Sequence, residues 1–462
     1  MFQATTYSNR RKTLAEKLDR GLLLFLGNED SPMNYTDNTY RFRQDSQFLY
    51  YFGIDMPHLA GIIDVDSGAS TLYGTEPDMD HVIWMGALPS LKELAAQSGG
   101  AHTRDFGQLG EDLAAAIAQG RPVHFLPPYR ADNQIRLSKW LGISLDELNS
   151  RASIPLIKAV VSMMAYKSPE EVAEMEKAVN ITRSMHIAAM KATRPGFKES
   201  DLAGIVEGMA IAAGGQLAYS AILSVNGQIL HNHYHGNTLQ EGKLVLGDFG
   251  AEAPSHYAGD ITRTFPVSKT FSARQKDIYE IVLEAEVKSI EALQPGVPYR
   301  DIHLGAATII ATGLKNLGLM KGTISDAVEA GAHALFFPHG LGHMIGLDVH
   351  DMEGLGENYV GYDEDIQRST QFGLRSLRLG RRLEAGFVLT VEPGIYFIPQ
   401  LIDLWESEGK FSDFINYDAL KAYRDFGGIR IEDNVLVTAS GYQVLGQPIP
   451  KKVDEVEELR DV

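Results

Sequence analysis

The second half of the sequence places carboxylate residues where apolar strands would be expected to continue. The run LVLG leads directly into Asp248, Asp260 precedes ITRTF, LTV leads into Glu392, and Glu432 follows GIRI. Branched apolar segments of this kind form buried strands, and an unpaired carboxylate inside a protein is costly because it loses its hydration. Any fold of this chain must therefore accommodate several acidic side chains in its interior.

Three of these carboxylates, those of Asp248, Asp260 and Glu432, have an ordinary structural interpretation when each is taken alone. An aspartate at the end of a strand is usually a turn or cap residue, and Glu432 could form a structural ion pair with Arg430, which shares its strand face. Strand alternation likewise places Thr262 on the face of Asp260. As a set, however, four converging carboxylates would repel one another strongly unless cations balance them.

Three histidines lie between the two pairs of carboxylates, in the stretch FPHGLGHMIGLDVHD. His339 and His343 are four residues apart, but Gly340 and Gly342 argue against a helix, which excludes a zincin-type helix motif. His350 is expected to end a short strand, LDVH. One histidine in such a segment is usually a satisfied core residue, whereas three within twelve positions favour a functional site.

These residue types predict a centre with two divalent metal ions. Two such ions supply four positive charges, which balance four carboxylates. The sequence contains no cysteine, so thiolate ligands are excluded, and oxygen ligands with one imidazole suit manganese or cobalt better than a thiolate-type zinc centre. A pair of cations lowers the pKa of a water molecule and stabilises an oxyanion.

A domain boundary is expected near Lys167. Residues 1–160 read as an α/β domain with a helix at RKTLAEKL, a strand at LLLFLG, and two strands joined by a turn at Ser67–Gly68. This domain shows no metal-binding or nucleophile pattern. Residues 161–462 would form a second domain, which carries the chemistry.

The second domain is expected to open with a long amphipathic helix. Ser168 is the predicted N-cap, Pro169 occupies the first helical position, Glu171 completes a capping box, and the helix should end near Thr193. A second helix follows at DLAGIVEGMAIAAGG. The charged tail KKVDEVEELRDV is expected to form a short solvated helix.

Composition excludes several classes of partner. The formal net charge of −18 argues against nucleic acid and against an anionic membrane surface, because both bind concentrated basic faces. No stretch approaches the roughly 18 apolar residues of a membrane span, and the N-terminus has no apolar signal segment. A cytoplasmic location is therefore expected.

Four stretches of the second half resemble one enzyme family in order and spacing: AGDITRTFPV, PHGLGHMIGLDVHD, LTVEPGIYF and FGGIRIEDNVLVT. They are similar to the proline-specific metallopeptidases with the pita-bread fold, aminopeptidase P and prolidase. The segment RFRQDSQFLYYFGI and the IDVDSG turn resemble the family's N-terminal, non-catalytic domain. The resemblance implies an α/β (α+β) protein, with an N-terminal α/β domain and a pita-bread catalytic domain in which two halves, related by a pseudo-twofold, form a curved antiparallel sheet.

The resemblance also implies residue roles. The implied ligands of two divalent ions, Mn²⁺ in preference to Co²⁺ or Zn²⁺, are Asp248, Asp260, His343, Glu392 and Glu432. Glu392 would also accept and pass on a proton, while His231, His339 and His350 would position the substrate and stabilise the oxyanion. Arg430 and Thr262 would orient the ligand carboxylates.

The implied substrate is a peptide with proline at its second position. The resemblance also implies that the protein forms a homodimer or a higher homo-oligomer. The stretch HYAGDITRTFPV reads like aminopeptidase P, which acts on longer peptides. The long insert before Glu432 and the stretch GLRSLRLGRRLEAG read like prolidase, an Xaa-Pro dipeptidase, whose arginine at the position of Arg378 binds the carboxylate of a dipeptide. Xaa-Pro dipeptidase is the preferred interpretation; without the resemblance, Arg378 would be interpreted as a solvated surface arginine among its neighbours.

The stretch HNHYH departs from the family pattern. Alternation would place His231, His233 and His235 on one strand face, and spacing to Asp248 favours His231 as the family's histidine; a separate HxHxH metal site is the alternative. Two remote alternatives for the whole chain are a metal-free enzyme and a peptide-binding pseudoenzyme of the same fold. Both typically lack most of the five ligands that this chain retains.

Overall fold

The computed structural model describes residues 2–460 and divides into two compact units, one ending at Met164 and the other beginning at Ala165. Within those residues, no helix combines the length and the apolar character needed to cross a membrane.

The N-terminal unit contains a five-stranded mixed sheet, a separate two-stranded sheet and helices. Its strands are β1 (Leu22–Leu26), β2 (Pro32–Tyr35), β3 (Asn38–Thr39), β4 (Ala60–Asp64), β5 (Ser70–Gly74), β6 (His102–Asp105) and β7 (Val123–Phe125). Its helices are α1 (Ala4–Ala15), α2 (Ser46–Phe52), α3 (Met79–Met85), α4 (Leu91–Gln97), α5 (Leu109–Ala118), α6 (Ala131–Leu141), α7 (Leu148–Arg151) and α8 (Ile154–Met164). The sheet order is β6-β5-β4-β1-β7, and β4 and β5 are the two strands predicted on either side of the turn.

The second unit alternates helix pairs with short antiparallel sheets. Its helices are α9 (Pro169–Ala192), α10 (Glu199–Ala212), α11 (Ala273–Glu291), α12 (Tyr299–Asn316), α13 (Ile324–Ala330), α14 (Glu357–Val360), α15 (Pro399–Ser407), α16 (Tyr417–Leu420) and α17 (Val453–Arg460). Its strands are β8 (Gln216–Leu217), β9 (Ile222–Ser224), β10 (Leu244–Asp248), β11 (Ala251–Glu252), β12 (Thr262–Pro266), β13 (Val388–Val391), β14 (Gly394–Tyr396), β15 (Gly428–Arg430), β16 (Asp433–Thr438) and β17 (Gly441–Val444).

Helix α9 begins where the capping signals predict. The Ser168 hydroxyl accepts a hydrogen bond from the Glu171 backbone N–H, the Glu171 carboxylate accepts from the Ser168 N–H at 2.9 Å, and Pro169 is the first helical residue. The helix ends at Ala192, with Thr193 as its extended C-cap.

One arrangement of helices and strands occurs twice in the second unit. A pair of packed helices, α9 with α10 or α11 with α12, precedes each three-stranded antiparallel sheet, β12-β10-β9 or β13-β16-β17. In each half one strand ends at or next to a carboxylate, and its antiparallel partner starts one or two residues after another carboxylate. The predicted fold class, with two α/β halves around antiparallel strands, is confirmed.

Two local predictions are wrong. HNHYH is turn and coil rather than strand, because Asn232 bonds locally: its amide donates to Ser224 Oγ at 2.9 Å and its carbonyl accepts from the Tyr234 N–H at 3.1 Å. LDVH is also not a strand, because Gly346 N–H donates to the Asp348 carbonyl at 3.0 Å and turns the chain there.

The tail forms the predicted helix, α17, but this helix is docked rather than solvated. Val456 and Arg460 are buried, and the Arg460 guanidinium donates to the backbone carbonyls of Met190, Pro266 and Val267. Satisfying three carbonyl groups compensates for burying this arginine.

Candidate metal centre

The five predicted ligands lie on the wall of one cavity of about 630 Å³ in the second unit. Asp248 ends β10 and Asp260 stands two residues before β12. Glu392 follows β13 directly, and Glu432 directly precedes β16. His343 comes from the glycine-containing loop between α13 and α14.

Three of these side chains form a tight group. One ligand atom from each of Asp260, His343 and Glu432 lies within 4.8 Å of the others, and all three residues are buried. His343 Nε2 is 3.4 Å from Asp260 Oδ2 and 3.6 Å from Glu392 Oε1. These separations leave room for a cation among the atoms without moving the backbone.

Asp248 joins the group through a tyrosine. The Tyr219 hydroxyl lies 2.5 Å from Asp248 Oδ1 and within hydrogen-bond distance of Asp260 Oδ1. A single hydroxyl proton cannot be donated to both carboxylates at once.

The glycines beside His343 permit a close backbone approach. A Cβ on Gly342 would overlap the Thr390 carbonyl oxygen and lie 2.7 Å from the Tyr299 hydroxyl. The His343 N–H donates to Thr390 Oγ1 at 3.1 Å, and its Nδ1 donates to the Met344 carbonyl at 3.0 Å. That bond leaves Nε2 unprotonated in the neutral ring and directed at the carboxylates, the tautomer that a metal ligand needs.

The electrostatics of the group show that it lacks positive charge. Burial, together with the neighbouring carboxylates, raises the pKa of Glu432 well above its usual value, and burial raises the pKa of Glu392 to about 7. Burial also raises the pKa of Asp248, whereas for Asp260 the hydrogen bond and charge of His343 outweigh burial and lower the pKa. Glu432 Oε1 is buried without a hydrogen-bond partner. An orphaned carboxylate oxygen among crowded carboxylates is what a cation site requires, so these residues fit a metal centre.

Arg430 and Thr262, the predicted orienting residues, contact the group directly. The Arg430 guanidinium donates to Asp248 Oδ2, to Thr262 Oγ1 at 3.1 Å and to the Tyr396 hydroxyl at 2.8 Å. Thr262 Oγ1 donates to Glu432 Oε2 at 2.7 Å. Arg430 therefore forms its ion pair with Asp248 rather than with Glu432, the partner considered from the sequence.

His339 lies against Glu392. Its Nδ1 donates to the Gly340 carbonyl at 2.8 Å and its Nε2 accepts from the Tyr396 hydroxyl at 2.8 Å. Its Nδ1 is 3.9 Å from Glu392 Oε2. Burial lowers the pKa of His339 to about 3, so its ring is neutral.

The other predicted histidines also reach the cavity. His231 and His350 line it, and the ring centroid of His350 is 4.1 Å from that of His343. Of the two remaining histidines of HNHYH, His233 lines the cavity, whereas His235 Nε2 donates to the Ala221 carbonyl at 3.0 Å. Their side chains thus point in different directions, contrary to the shared strand face expected.

Arg378 lines the same cavity but is not a free cation. Its Nη1 pairs with Glu353 and lies 3.5 Å from Glu357 Oε1. The prediction did not anticipate either glutamate.

Sequence reasoning missed three residues of the site: Tyr219, Tyr396 and Asn434. Asn434 holds the backbone of Asp260 on both sides, accepting from its N–H at 2.9 Å and donating to its carbonyl at 2.6 Å. Asn434 is a polar residue inside a buried strand, two residues after Glu432, and this position could have indicated its role from the sequence. Tyr219 has no comparable signal, because it lies outside every strand and well before Asp248.

Comparison with known proteins identifies the family. Residues 173–439 match the model of metallopeptidase family M24, and residues 7–124 match the N-terminal domain of aminopeptidase P. The chain belongs to metallopeptidase family M24. It is therefore a metallopeptidase, with a group of Asp, His and Glu residues able to bind metal.

Relatives of two specificities are similar to this M24 chain. Human Xaa-Pro dipeptidase is 33% identical, covering 98% of this chain and 92% of the relative. A probable Xaa-Pro aminopeptidase of Aspergillus clavatus is 35% identical, covering 92% and 89%.

Solved structures of aminopeptidase P match this M24 chain over its length. The Pseudomonas aeruginosa aminopeptidase PepP superimposes with a TM-score of 0.82 at 29% identity, covering 100% of this chain and 98% of that one. A variant of Escherichia coli aminopeptidase P in complex with substrate gives a TM-score of 0.82 at 30% identity, with the same coverage.

Proposed function

We propose that Asp248, Asp260, His343, Glu392 and Glu432 hold two divalent cations. Their convergence on one cavity wall, the crowding of their charges and the orphaned Glu432 oxygen support this assignment. Four carboxylates and one imidazole form a predominantly oxygen donor set, which favours Mn²⁺, with Co²⁺ and Zn²⁺ as alternatives. When bound, the cations supply Lewis acidity that lowers the pKa of water and stabilises negative charge on a carbonyl oxygen.

The proposed reaction is hydrolysis of the peptide bond before proline. Glu392 takes a proton from the attacking water and passes it to the proline nitrogen; its carboxylate lies between the imidazoles of His343 and His339. His231, His339 and His350 line the cavity wall, where they position the substrate and stabilise the developing oxyanion. Arg430 and Thr262 fix the carboxylates through the contacts described above.

We further propose that the preferred substrate is an Xaa-Pro dipeptide. Arg378 lies on the cavity wall together with the ligand group, where its guanidinium can bind the free carboxylate of a short substrate. The similarity to human Xaa-Pro dipeptidase over nearly the whole chain supports this reading. The alternative, an Xaa-Pro aminopeptidase acting on longer peptides, is supported by the fungal relative and by the aminopeptidase P structures.

The observation that carries the proposal is the single cavity shared by the five predicted ligands, the histidines and Arg378. The test is to load the metal-free protein with Mn²⁺ and measure kcat/KM for Gly-Pro, for a longer Xaa-Pro peptide and for Gly-Leu. Metal-dependent hydrolysis of Gly-Pro, with less activity on the other two, is expected. Greater activity on the longer peptide would favour the aminopeptidase, and efficient cleavage of Gly-Leu would contradict proline specificity.

We also propose that residues 1–160 form a non-catalytic domain, that residues 161–462 form the catalytic domain, and that the chain works as a homodimer or higher homo-oligomer. The match of residues 7–124 to an aminopeptidase P N-terminal domain supports the first assignment. The cytoplasmic location remains a prediction from the sequence.

A further inference from the structure

Glu353 links two residues of the cavity wall without lining the large cavity itself. Its Oε2 lies 2.5 Å from His350 Nδ1, and its Oε1 pairs with Arg378 Nη1. One carboxylate thus contacts both a histidine assigned to substrate positioning and the arginine assigned to the substrate carboxylate.

The local backbone directs Glu353 towards His350. Met352, just before it, is buried and has a φ of 61°, a left-handed conformation that is costly for a residue other than glycine. This sharp turn lets the Glu353 N–H bond back to the His350 carbonyl at 3.2 Å. Side chain and backbone of Glu353 therefore both engage His350.

The contact with His350 selects one tautomer. A carboxylate only accepts hydrogen bonds, so the bond to Glu353 requires a proton on His350 Nδ1. In the neutral ring, Nε2 is then left as an acceptor.

The contact with Arg378 orients its guanidinium. Glu353 and Glu357 both engage Nη1, whereas among residues 2–460 no side chain bonds to Nε or Nη2 of Arg378. The Nε and Nη2 edge of a guanidinium can form two parallel hydrogen bonds with a carboxylate. The glutamates thus hold one end of the fork and leave a bidentate edge available.

We propose that Glu353 is a positioning residue that sets the preference for substrates whose proline carries a free carboxylate. It acts through Arg378, whose fork it orients, and it supports His350 separately. This inference rests on the proposed function, because it assigns the substrate carboxylate to Arg378. Glu357 has a smaller part, since its other oxygen is engaged by Arg368 at 2.9 Å.

Glu353→Gln separates the two contacts. The glutamine carbonyl can still accept from His350 Nδ1, but the substitution removes the charge that attracts Arg378 Nη1. With the metal-loaded full chain, we expect KM for Gly-Pro to rise about tenfold and kcat to stay nearly unchanged. Loss of a residue that orients another functional residue typically costs about 10–100-fold, and the lower value is taken here. Glu353→Ala should raise KM similarly and also lower kcat, because His350 then loses its partner.

Three controls distinguish positioning from general damage. Glycyl-prolinamide lacks the carboxylate, so Glu353→Gln should leave its KM unchanged. In an Arg378→Ala background, Glu353→Gln should add no further rise in KM for Gly-Pro, because coupled residues are not additive. Glu357→Gln is the matched glutamate variant and should change KM less than threefold, since its contact with Arg378 is marginal and it does not touch His350.

An unchanged KM for Gly-Pro in Glu353→Gln would overturn the inference, as would an equal rise for the amide or additivity with Arg378→Ala. These outcomes are distinct from failure of the proposed function, which would appear as an absence of Xaa-Pro hydrolysis in the unsubstituted protein. Equal folding of all variants is checked by thermal unfolding, and Glu353 is exposed enough for its replacement to be tolerated.

Discussion

The ion pair between Lys167 and Asp351 lies inside the unit that carries the metal-site residues. The Lys167 ammonium is 2.7 Å from Asp351 Oδ2, and the two side chains are 2% and 1% exposed. Asp351 follows His350 directly, and its N–H donates to the Met344 carbonyl, which also accepts from His343 Nδ1. The pair therefore holds the loop that presents both histidines.

Lys167→Met should destabilise this unit by about 3–5 kcal/mol, because it leaves the Asp351 carboxylate buried without its cation. Asp351→Asn should have a cost in the same range, since it removes the negative charge from beside the buried ammonium. For a unit of nearly 300 residues, about 2 °C per kcal/mol converts this to a fall in Tm of roughly 6–10 °C. The double variant should recover most of the loss, since replacing both members of a buried pair is often nearly neutral.

The assay is thermal and urea unfolding of the metal-loaded full chain, following the transition of the second unit. Lys177→Met is the matched control: Lys177 pairs with Glu174 at 2.6 Å but its side chain is 64% exposed, so its loss should cost less than about 1 kcal/mol. If the buried and the exposed lysine variants cost the same, or if the double variant is no more stable than the singles, the reasoning about burial is refuted.

Three further predictions concern activity and pH. Glu392→Gln should lower kcat by about 10²–10⁴-fold while metal remains bound, measured by turnover and metal content; near-normal turnover would show that Glu392 transfers no proton. Arg378→Ala should raise KM for Gly-Pro by the equivalent of roughly 1.5–3 kcal/mol and leave longer peptides little changed, and equal losses on both substrates would contradict its role. Burial, followed by the positive charge of nearby histidines, lowers the pKa of His303 to about 3 in the folded chain. In the unfolded chain His303 takes up a proton at a higher pH, near its ordinary pKa of about 6.5. The free energy of unfolding should therefore fall as the pH drops from about 6.5 towards 3. His303→Phe should flatten that decline in urea unfolding, and an unchanged slope would exclude His303 as its source.

The positions of the acidic residues could be predicted because they break a pattern that burial enforces. A carboxylate at the end of LVLG or inside GIRIED is conspicuous against its apolar neighbours. Alternation paired Thr262 with Asp260, whereas the Thr262 hydroxyl donates to Glu432. The capping signals at Ser168 fixed the start of α9 for the same reason, since a helix N-terminus needs partners for its free N–H groups.

The remaining parts depend on contacts between distant segments, which a local pattern does not contain. Tyr219 reaches two aspartates because β9 and β12 flank β10, and the sequence around this tyrosine carries no sign of that order. The HNHYH segment has the alternation of a strand, but local bonds of Asn232 hold it as turn and coil. The partners of Arg378 were missed because Glu353 follows an unusual left-handed residue, Met352, which favours no such conformation by itself.

The central claim, that five side chains hold two cations, is tested most directly by metal content together with metal position. The metal-free chain is titrated with Mn²⁺, the bound ion is counted by elemental analysis, and its position is located by anomalous diffraction. We predict about two ions per chain, both among Asp248, Asp260, His343, Glu392 and Glu432, at roughly 2.0–2.3 Å from their oxygen and nitrogen atoms. A chain that binds no ion at this cavity, or binds its ions with any of the five side chains directed away from them, would contradict the account.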